Sequence, residues 1–323
     1  MRRALIYWSV AFAVVIGVFA ITIVVVNSTV FSAGGFAGSY LNALARQDAS
    51  TALELPGVVA SEDSAADLLT DSALGDLSGV NLVRDTTGSD GVHTVTYEYM
   101  LNGELTESDF RVRHTGAFLG LFSTWAFDSS PLGTVAVNVL HDDRFRVNGV
   151  DLNTDAQPEE SGGFLVFVPG VYTFDHESTY LAADDVPVPI SEPGSVTSVQ
   201  VNVQANPTFV TKVDEELHAY LDACATQSVL LPTGCPFGKT FDNRIDSTPE
   251  WSISTYPNVE IIPGSTIGEW VMPITTASAH LSVEVRSLFD GTVRDFDEEI
   301  PFTVSYLLTI QPDNSLAIQA NYG

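Results

Sequence analysis

Basic side chains are scarce: 13 Lys and Arg stand against 41 Asp and Glu, a formal net charge of −28 at pH 7. Only two are lysines, Lys212 and Lys239. A chain this acidic has no electrostatic footprint for nucleic acid, which needs clustered Lys and Arg, and it is repelled by anionic headgroups. Cysteine is reduced to Cys224 and Cys235. The usual signatures of chemistry are missing too. There is no Gly-x-Ser-x-Gly or Ser-x-x-Lys for a serine nucleophile, and no glycine-rich loop to cradle phosphate. The six histidines (His93, His114, His141, His176, His218 and His280) form no His-x-His or His-x-x-x-His pair. Nothing here asks for a cofactor or a metal. Long apolar runs are also absent, with one exception.

That exception is Ala4 to Val26, 23 residues without a charge. As a helix at about 1.5 Å per residue it reaches about 34 Å, enough for a hydrocarbon core of about 30 Å. Arg2 and Arg3 precede it and the next charge is Arg46, so the N-terminus is expected in the cytoplasm and the body outside. Tyr7 and Trp8 fall where an aromatic belt lies. The competing reading is a cleaved signal peptide, with Val26-Asn27-Ser28 as a small-residue cut site, although a cleaved apolar region is usually shorter, about 7–15 residues. Either way the body is exported. Without Arg2 and Arg3 it carries 11 basic against 41 acidic residues, a formal charge of −30. The hydrophobic fraction of 45% is that of a globular chain, and the length suits about two domains.

Periodicity divides the body further. Phe36, Tyr40 and Leu44 recur every four residues, one face of a helix, and a second amphipathic stretch runs from Ala65 to Leu77. From Val92 the period is two, through Tyr99 and again at Phe110 to Arg113, as in a half-buried antiparallel sheet. A middle segment, 125–192, reads as all-β: Val135, Val137 and Val139 alternate, Asn148-Gly149 is a hairpin turn, and Phe164 to Val168 is a buried strand ended by Pro169-Gly170. Pro187, Pro189 and Pro193 make a stiff connector. The third segment, 195–323, opens with Asn206-Pro207, a helix cap and first residue, and continues through Val213, Leu217, Tyr220, Leu221 and Cys224 on one face. Strands come next, around Trp251, Trp270, His280 to Leu288, Phe302 to Ile310 and Leu316 to Ala320. A helix followed by a run of strands thus occurs twice.

These pieces resemble membrane-anchored bacterial envelope proteins with NTF2-like (cystatin-like) ectodomains, including the TcaA-like proteins. The resemblance rests on Tyr40-Leu41-Asn42-Ala43-Leu44 followed by Gln47-Asp48, on Asn148-Gly149 paired with Pro169-Gly170-x-Tyr172, and on the stretch from Tyr220 to Phe237 that holds both cysteines. It implies an α+β architecture: a tail at 1–3, a transmembrane helix at 4–26, an NTF2-like domain at 32–124, a small β domain at 125–192 and a second NTF2-like domain at 195–323. It also implies an envelope location, and it names no ligand.

Few residues are placed for chemistry. In an exported chain an isolated cysteine pair eleven positions apart reads as a disulfide, Cys224 to Cys235. Two thiols without a nearby histidine do not complete a zinc site, and a catalytic thiol would have to stay reduced outside the cell. Asp142-Asp143, Glu159-Glu160, Asp184-Asp185 and the run Asp295 to Glu299 read as solvated acidic faces, with calcium ligation or acid–base work as the sharper alternatives. Gly264 to Gly268 has the wrong spacing for a nucleophile elbow and reads as a loop. The expected function is non-catalytic recognition or assembly at the envelope, with a protein or cell-wall polymer as partner besides the membrane itself. The alternative is a small-ligand carrier or enzyme using an NTF2-like pocket.

Overall fold

The uncharged N-terminal run forms one helix, α1 (Arg2–Thr29), in the computed structural model, which describes residues 2–60, 64–156 and 163–321. Among the described residues it is the one helix long and apolar enough to cross a membrane, and none of its apolar window, Ala11–Thr29, is buried against protein. A soluble core helix would be covered. An anchor or a signal sequence is not. The side chains of Arg2 and Arg3 lie outside the described set, as does the pair Glu159-Glu160.

The chain parts into two units. Unit 1 holds residues 1–139, 144–175 and 185–201; unit 2 holds 140–143, 176–184 and 202–323. The fold is α+β and mostly sheet.

In unit 1, α2 (Ala33–Ala45) starts where the Ser32 hydroxyl accepts the Gly35 N–H, a good N-cap. The fourfold spacing in the sequence places Tyr40 and Leu44 in the core, with Ala37, Leu41 and Ala43 filling the same face. A short α3 (Ala49–Leu53) comes next, capped by Asp48. The expected amphipathic helix from Ala65 to Leu77 does not form: the stretch is turns, a bridge at Ala65 and one 3-10 turn at Asp71–Ala73. Its Asp, Ser and Thr side chains compete for the backbone, while Leu68, Leu69, Leu74 and Leu77 are buried anyway by tertiary contact.

Four antiparallel strands in chain order, β1 (Leu77–Thr87), β2 (Val92–Leu101), β3 (Glu104–Phe118) and β4 (Phe122–Phe127), form the sheet under α2. Val95, Tyr97, Tyr99, Phe110, Val112 and Phe127 face the helix, and Tyr40 meets Phe127 edge-on with ring centroids 5.3 Å apart. Each such buried side chain contributes about 1.5–3 kcal/mol. The concave face is therefore plugged, not hollow.

The rest of unit 1 is β5 (Leu132–Leu140), β6 (Arg144–Val147), β7 (Val150–Asn153), β8 (Phe164–Phe167), β9 (Gly170–Glu177), β10 (Leu181–Ile190) and β11 (Val196–Asn202). β5 lies between β11 and β8, and β6 between β9 and β7. The expected hairpin turn is present: Val147 pairs with Val150 across Asn148 (φ 48°) and Gly149 (φ 82°). The border between the units falls inside β5, β9, β10 and β11.

In unit 2, β12 (Gln204–Ala205) pairs with Leu181 and Ala182, and α4 (Pro207–Ala225) comes after it. The remaining strands are β13 (Arg244–Ile245), β14 (Glu250–Thr255), β15 (Ile262–Pro263), β16 (Glu269–Arg286), β17 (Val293–Ile310) and β18 (Leu316–Ala320). β16 and β17 pair along nearly their whole length, with a bulge between Met272 and Thr275 that accommodates Pro273 and bends the sheet. β13, β14 and β15 line one edge of β16 in turn, and β18 closes the other side beyond β17.

Candidate functional site

α4 is built to carry one wall of a cleft. Asn206 Oδ1 accepts the Phe209 N–H at 3.0 Å and Pro207 fills the first helical position, which fixes where the helix begins. Phe209, Val213, Leu217, Leu221 and Cys224 are buried; Tyr220, on the border of that face, is 38% exposed. The helix ends at a loop that is bound back onto it. Cys224 is joined to Cys235. Gln227 accepts the Thr233 N–H at 2.8 Å and donates to its carbonyl at 3.2 Å, and the Tyr220 hydroxyl donates to the Gly234 carbonyl. The cysteine bridge thus sets a roof over one end of α4.

Two adjoining hollows of about 350 and 400 Å³ open between this roof, α4 and the β17–β18 edge, sharing Tyr220, Gly234, Tyr306 and Ala320. Val213, Leu217, Ile274, Val304 and Ile318 give them apolar walls, and Glu216 is their one carboxylate. Volumes of this size hold a side-chain pair or a small ligand. Among the described residues no histidine, free thiol or lysine lines them. Such a cleft can bind apolar groups.

Unit 1 has a larger but polar cleft, about 580 Å³, on the sheet face away from α2. Arg84, Thr96 and Asp109 stand opposite one another on three neighbouring strands. Arg84 donates to Thr96 Oγ1 at 3.1 Å, and Thr96 donates to Asp109. Arg111 pairs with Asp128 at 3.2 Å and Asp90 at 3.6 Å. Both of its arginines are thus engaged, Arg84 with Thr96 and Arg111 with two carboxylates beside the cleft.

His93 and His114 flank one indole, Trp125, and the other histidines lie apart. His93 contacts Asp85 at 2.7 Å and meets Trp125 edge-on; His218 stacks on Tyr256; His141 bonds the Val203 carbonyl at 3.0 Å; His176 contacts Ser178 at 3.2 Å; His114 meets Trp125. A polar cluster on the outer face of the unit 2 sheet joins two members of the acidic run 295–299 to His280, a grouping not among those expected from the sequence. His280 lies 2.6 Å from Asp297 and 3.4 Å from Glu299, and its pKa is raised chiefly by the hydrogen bond to Asp297. Ser254 and Ser278 both donate to Glu299, neither to His280, so the order of a nucleophile–base–acid relay is not met. Period-two alternation puts Ser278 and His280 on one face of β16 and Asp297 and Glu299 on one face of β17, but only the register brings them together and sets Ser254 of β14 beside them.

Of the acidic runs, Asp184, Asp185 and Asp295 with Asp297 to Glu299 are exposed, while Asp142 is buried and accepts the Asp143 N–H at 2.8 Å. Gly264 to Gly268 is a loop, as expected. Among the described residues no three His, Cys, Asp or Glu side chains are grouped to hold a metal ion. Comparison with known proteins gives no match: no family model, no curated protein and no solved structure is similar to this chain.

Proposed function

We propose that the chain is a single-pass envelope protein, with α1 as an uncleaved anchor, its N-terminus in the cytoplasm, and a non-catalytic ectodomain that recognises a protein partner. The anchor reading draws support from the far end of α1. Asn27 Nδ2 donates to the Leu121 carbonyl at 2.7 Å, and its Oδ1 accepts the Ser123 N–H at 3.0 Å. A cut after Ser28 would discard a side chain the folded body uses twice. A cysteine bridge suits an oxidising exterior.

The observation that carries recognition is the apolar cleft between α4 and the β17–β18 edge. Each unit sets a helix against a curved antiparallel sheet, consistent with the NTF2-like reading. In unit 1 aromatics fill the concavity, whereas in unit 2 it stays partly open beside a terminal strand. An apolar trough next to a free strand edge suits an extended segment of another chain, which adds main-chain pairing to side-chain burial. A formal charge of −28 disfavours anionic wall polymers and favours a neutral or basic segment.

The test is a photocrosslinking residue at Ile318 in the full chain in intact membranes, with Leu288 as the exposed comparison. A discrete adduct at Ile318, absent at Leu288 and lost on Val213→Arg, is the expected result. No adduct, with saturable retention of the chain on cell-wall sacculi that survives moderate salt, would move the partner to a wall polymer. Neither signal would sink recognition through this cleft.

A further inference from the structure

The turn between β3 and β4 is apolar and in the open. Phe118, Leu119 and Leu121 are 61%, 75% and 41% exposed, and no charged side chain occurs from Thr115 to Phe127 in this strongly acidic chain. We propose that this hairpin tip, Phe118 to Phe122, is a second membrane contact that sits in the interfacial layer of the bilayer beside α1. The proposal rests on the reading of α1 as an anchor.

Three independent observations support it. The first is the backbone. A turn from Phe118 to Leu121, closed by the Leu121 N–H on the Phe118 carbonyl at 3.1 Å, holds Leu119 at φ 52° and Gly120 at φ 68°. Two other tips of the same chain have the same pair of left-handed angles, at Asn102-Gly103 (50° and 83°) and Asn148-Gly149 (48° and 82°), and both use asparagine. Asparagine tolerates that conformation and leucine resists it. A tip facing water has no use for a strained leucine, whereas a tip facing lipid does.

Position is the second. The tip is fastened to the end of the apolar run: Asn27 bonds Leu121 and Ser123, Phe31 packs on Phe122 with centroids 4.8 Å apart, and the Trp125 indole N–H donates to the Phe31 carbonyl at 2.8 Å. On α1 itself Ile23, Val26 and Asn27 are half-buried, while Ile21, Val24 and Val25 are exposed. The shielded residues lie at i, i+3 and i+4, one face, and β4 is the strand packed on this end of the helix. The hairpin thus runs along roughly the last turn of the span, about 6 Å, a depth usual for interfacial segments.

Chemistry is the third. Trp125 comes at the level of Phe31, just past the span, where an aromatic belt is expected. Apolar side chains and a tryptophan without any carboxylate fit the lipid interface, from which the rest of this acidic chain is repelled.

The native cysteines are bonded to each other, so a single introduced cysteine gives one labelling site. Full-length Leu119→Cys, Phe19→Cys and Ile274→Cys variants, each carrying an environment-sensitive fluorophore, would be placed in phosphatidylcholine nanodiscs. Quenching by lipid-borne nitroxides at shallow and deep positions is compared with quenching by aqueous iodide. The expected result is deep-nitroxide quenching at Phe19, shallow-nitroxide quenching at Leu119, and iodide quenching at Leu119 about fivefold weaker than at Ile274. Phe19 quenched by lipid while Leu119 is as open to iodide as Ile274 overturns the second contact and leaves the anchor standing. Phe19 shielded from lipid, or absent through cleavage, overturns the anchor reading and the proposal with it.

Discussion

At the β6–β7 tip, Asn148 holds a left-handed φ while its amide donates to Ala73 at 2.7 Å and Val171 at 3.0 Å and its carbonyl accepts the Thr173 N–H at 2.9 Å. Asn148→Ala removes all three bonds and adds a turn penalty, so a loss of about 2–4 kcal/mol is expected in urea unfolding, and Asn148→Gly should recover only the backbone share, about 1 kcal/mol. His280 makes a different prediction, in pH. Its pKa is raised by Asp297, so its contribution is complete below its ordinary value of 6.5 and is lost as pH rises through the raised folded value. Glu299 is held low, first by Ser254 and then by Ser278, so its contribution is complete above 4.5 and is lost as pH falls through the lowered folded value. Both act in full only between 4.5 and 6.5. Thermal melts over that range and above should show an alkaline decline that His280→Gln abolishes; an unchanged decline would place its origin elsewhere.

Among the elements, α4 depends most visibly on one covalent link. The bridge closes a loop of eleven positions, and opening it with a Cys224→Ser/Cys235→Ser pair should cost about 2–3 kcal/mol on the chain-entropy account. Because the same loop roofs the cleft, the crosslink expected at Ile318 should fall with it, while the helical signal of α2 stays. α4 is legible in the sequence because cap, first-turn proline and apolar spacing agree. So is α2, from Phe36, Tyr40 and Leu44, and so is the Asn148-Gly149 turn. β1 is not. Its burial is confined almost to Leu77, and its pairing slips twice, so no alternation survives to be read. β16 reads only as separate pieces around Trp270 and His280, because Pro273 looks like a break when it is in fact taken up by a bulge. The cleft is invisible for another reason. Its walls come from α4, the 234–236 loop, β16, β17 and β18, and apolar residues carry no mark of which of them face a void.

For the whole molecule, self-repulsion of a −28 chain opposes folding and weakens as salt shortens its reach. Raising sodium chloride from about 20 mM to about 0.5 M, which cuts the Debye length from about 20 Å to about 4 Å, should therefore raise Tm, and a flat response would mean that the charges are already well separated. Neither unit is a continuous stretch: the chain passes from one to the other five times. A fragment from Ser195 onward lacks 140–143 and 176–184, including the partners of β12, so it is expected to lose cooperative unfolding by circular dichroism where the full chain keeps it. The interleaving also constrains biogenesis. On the proposed topology the N-terminus stays in the cytoplasm and the body follows α1 across the membrane in chain order, so unit 1 receives its last strand only when residue 201 has emerged, and by then two pieces of unit 2 are outside, unfinished. Unit 1 can then close, whereas unit 2, begun at Leu140, is completed only when β18 has followed, so its early pieces have the longest wait.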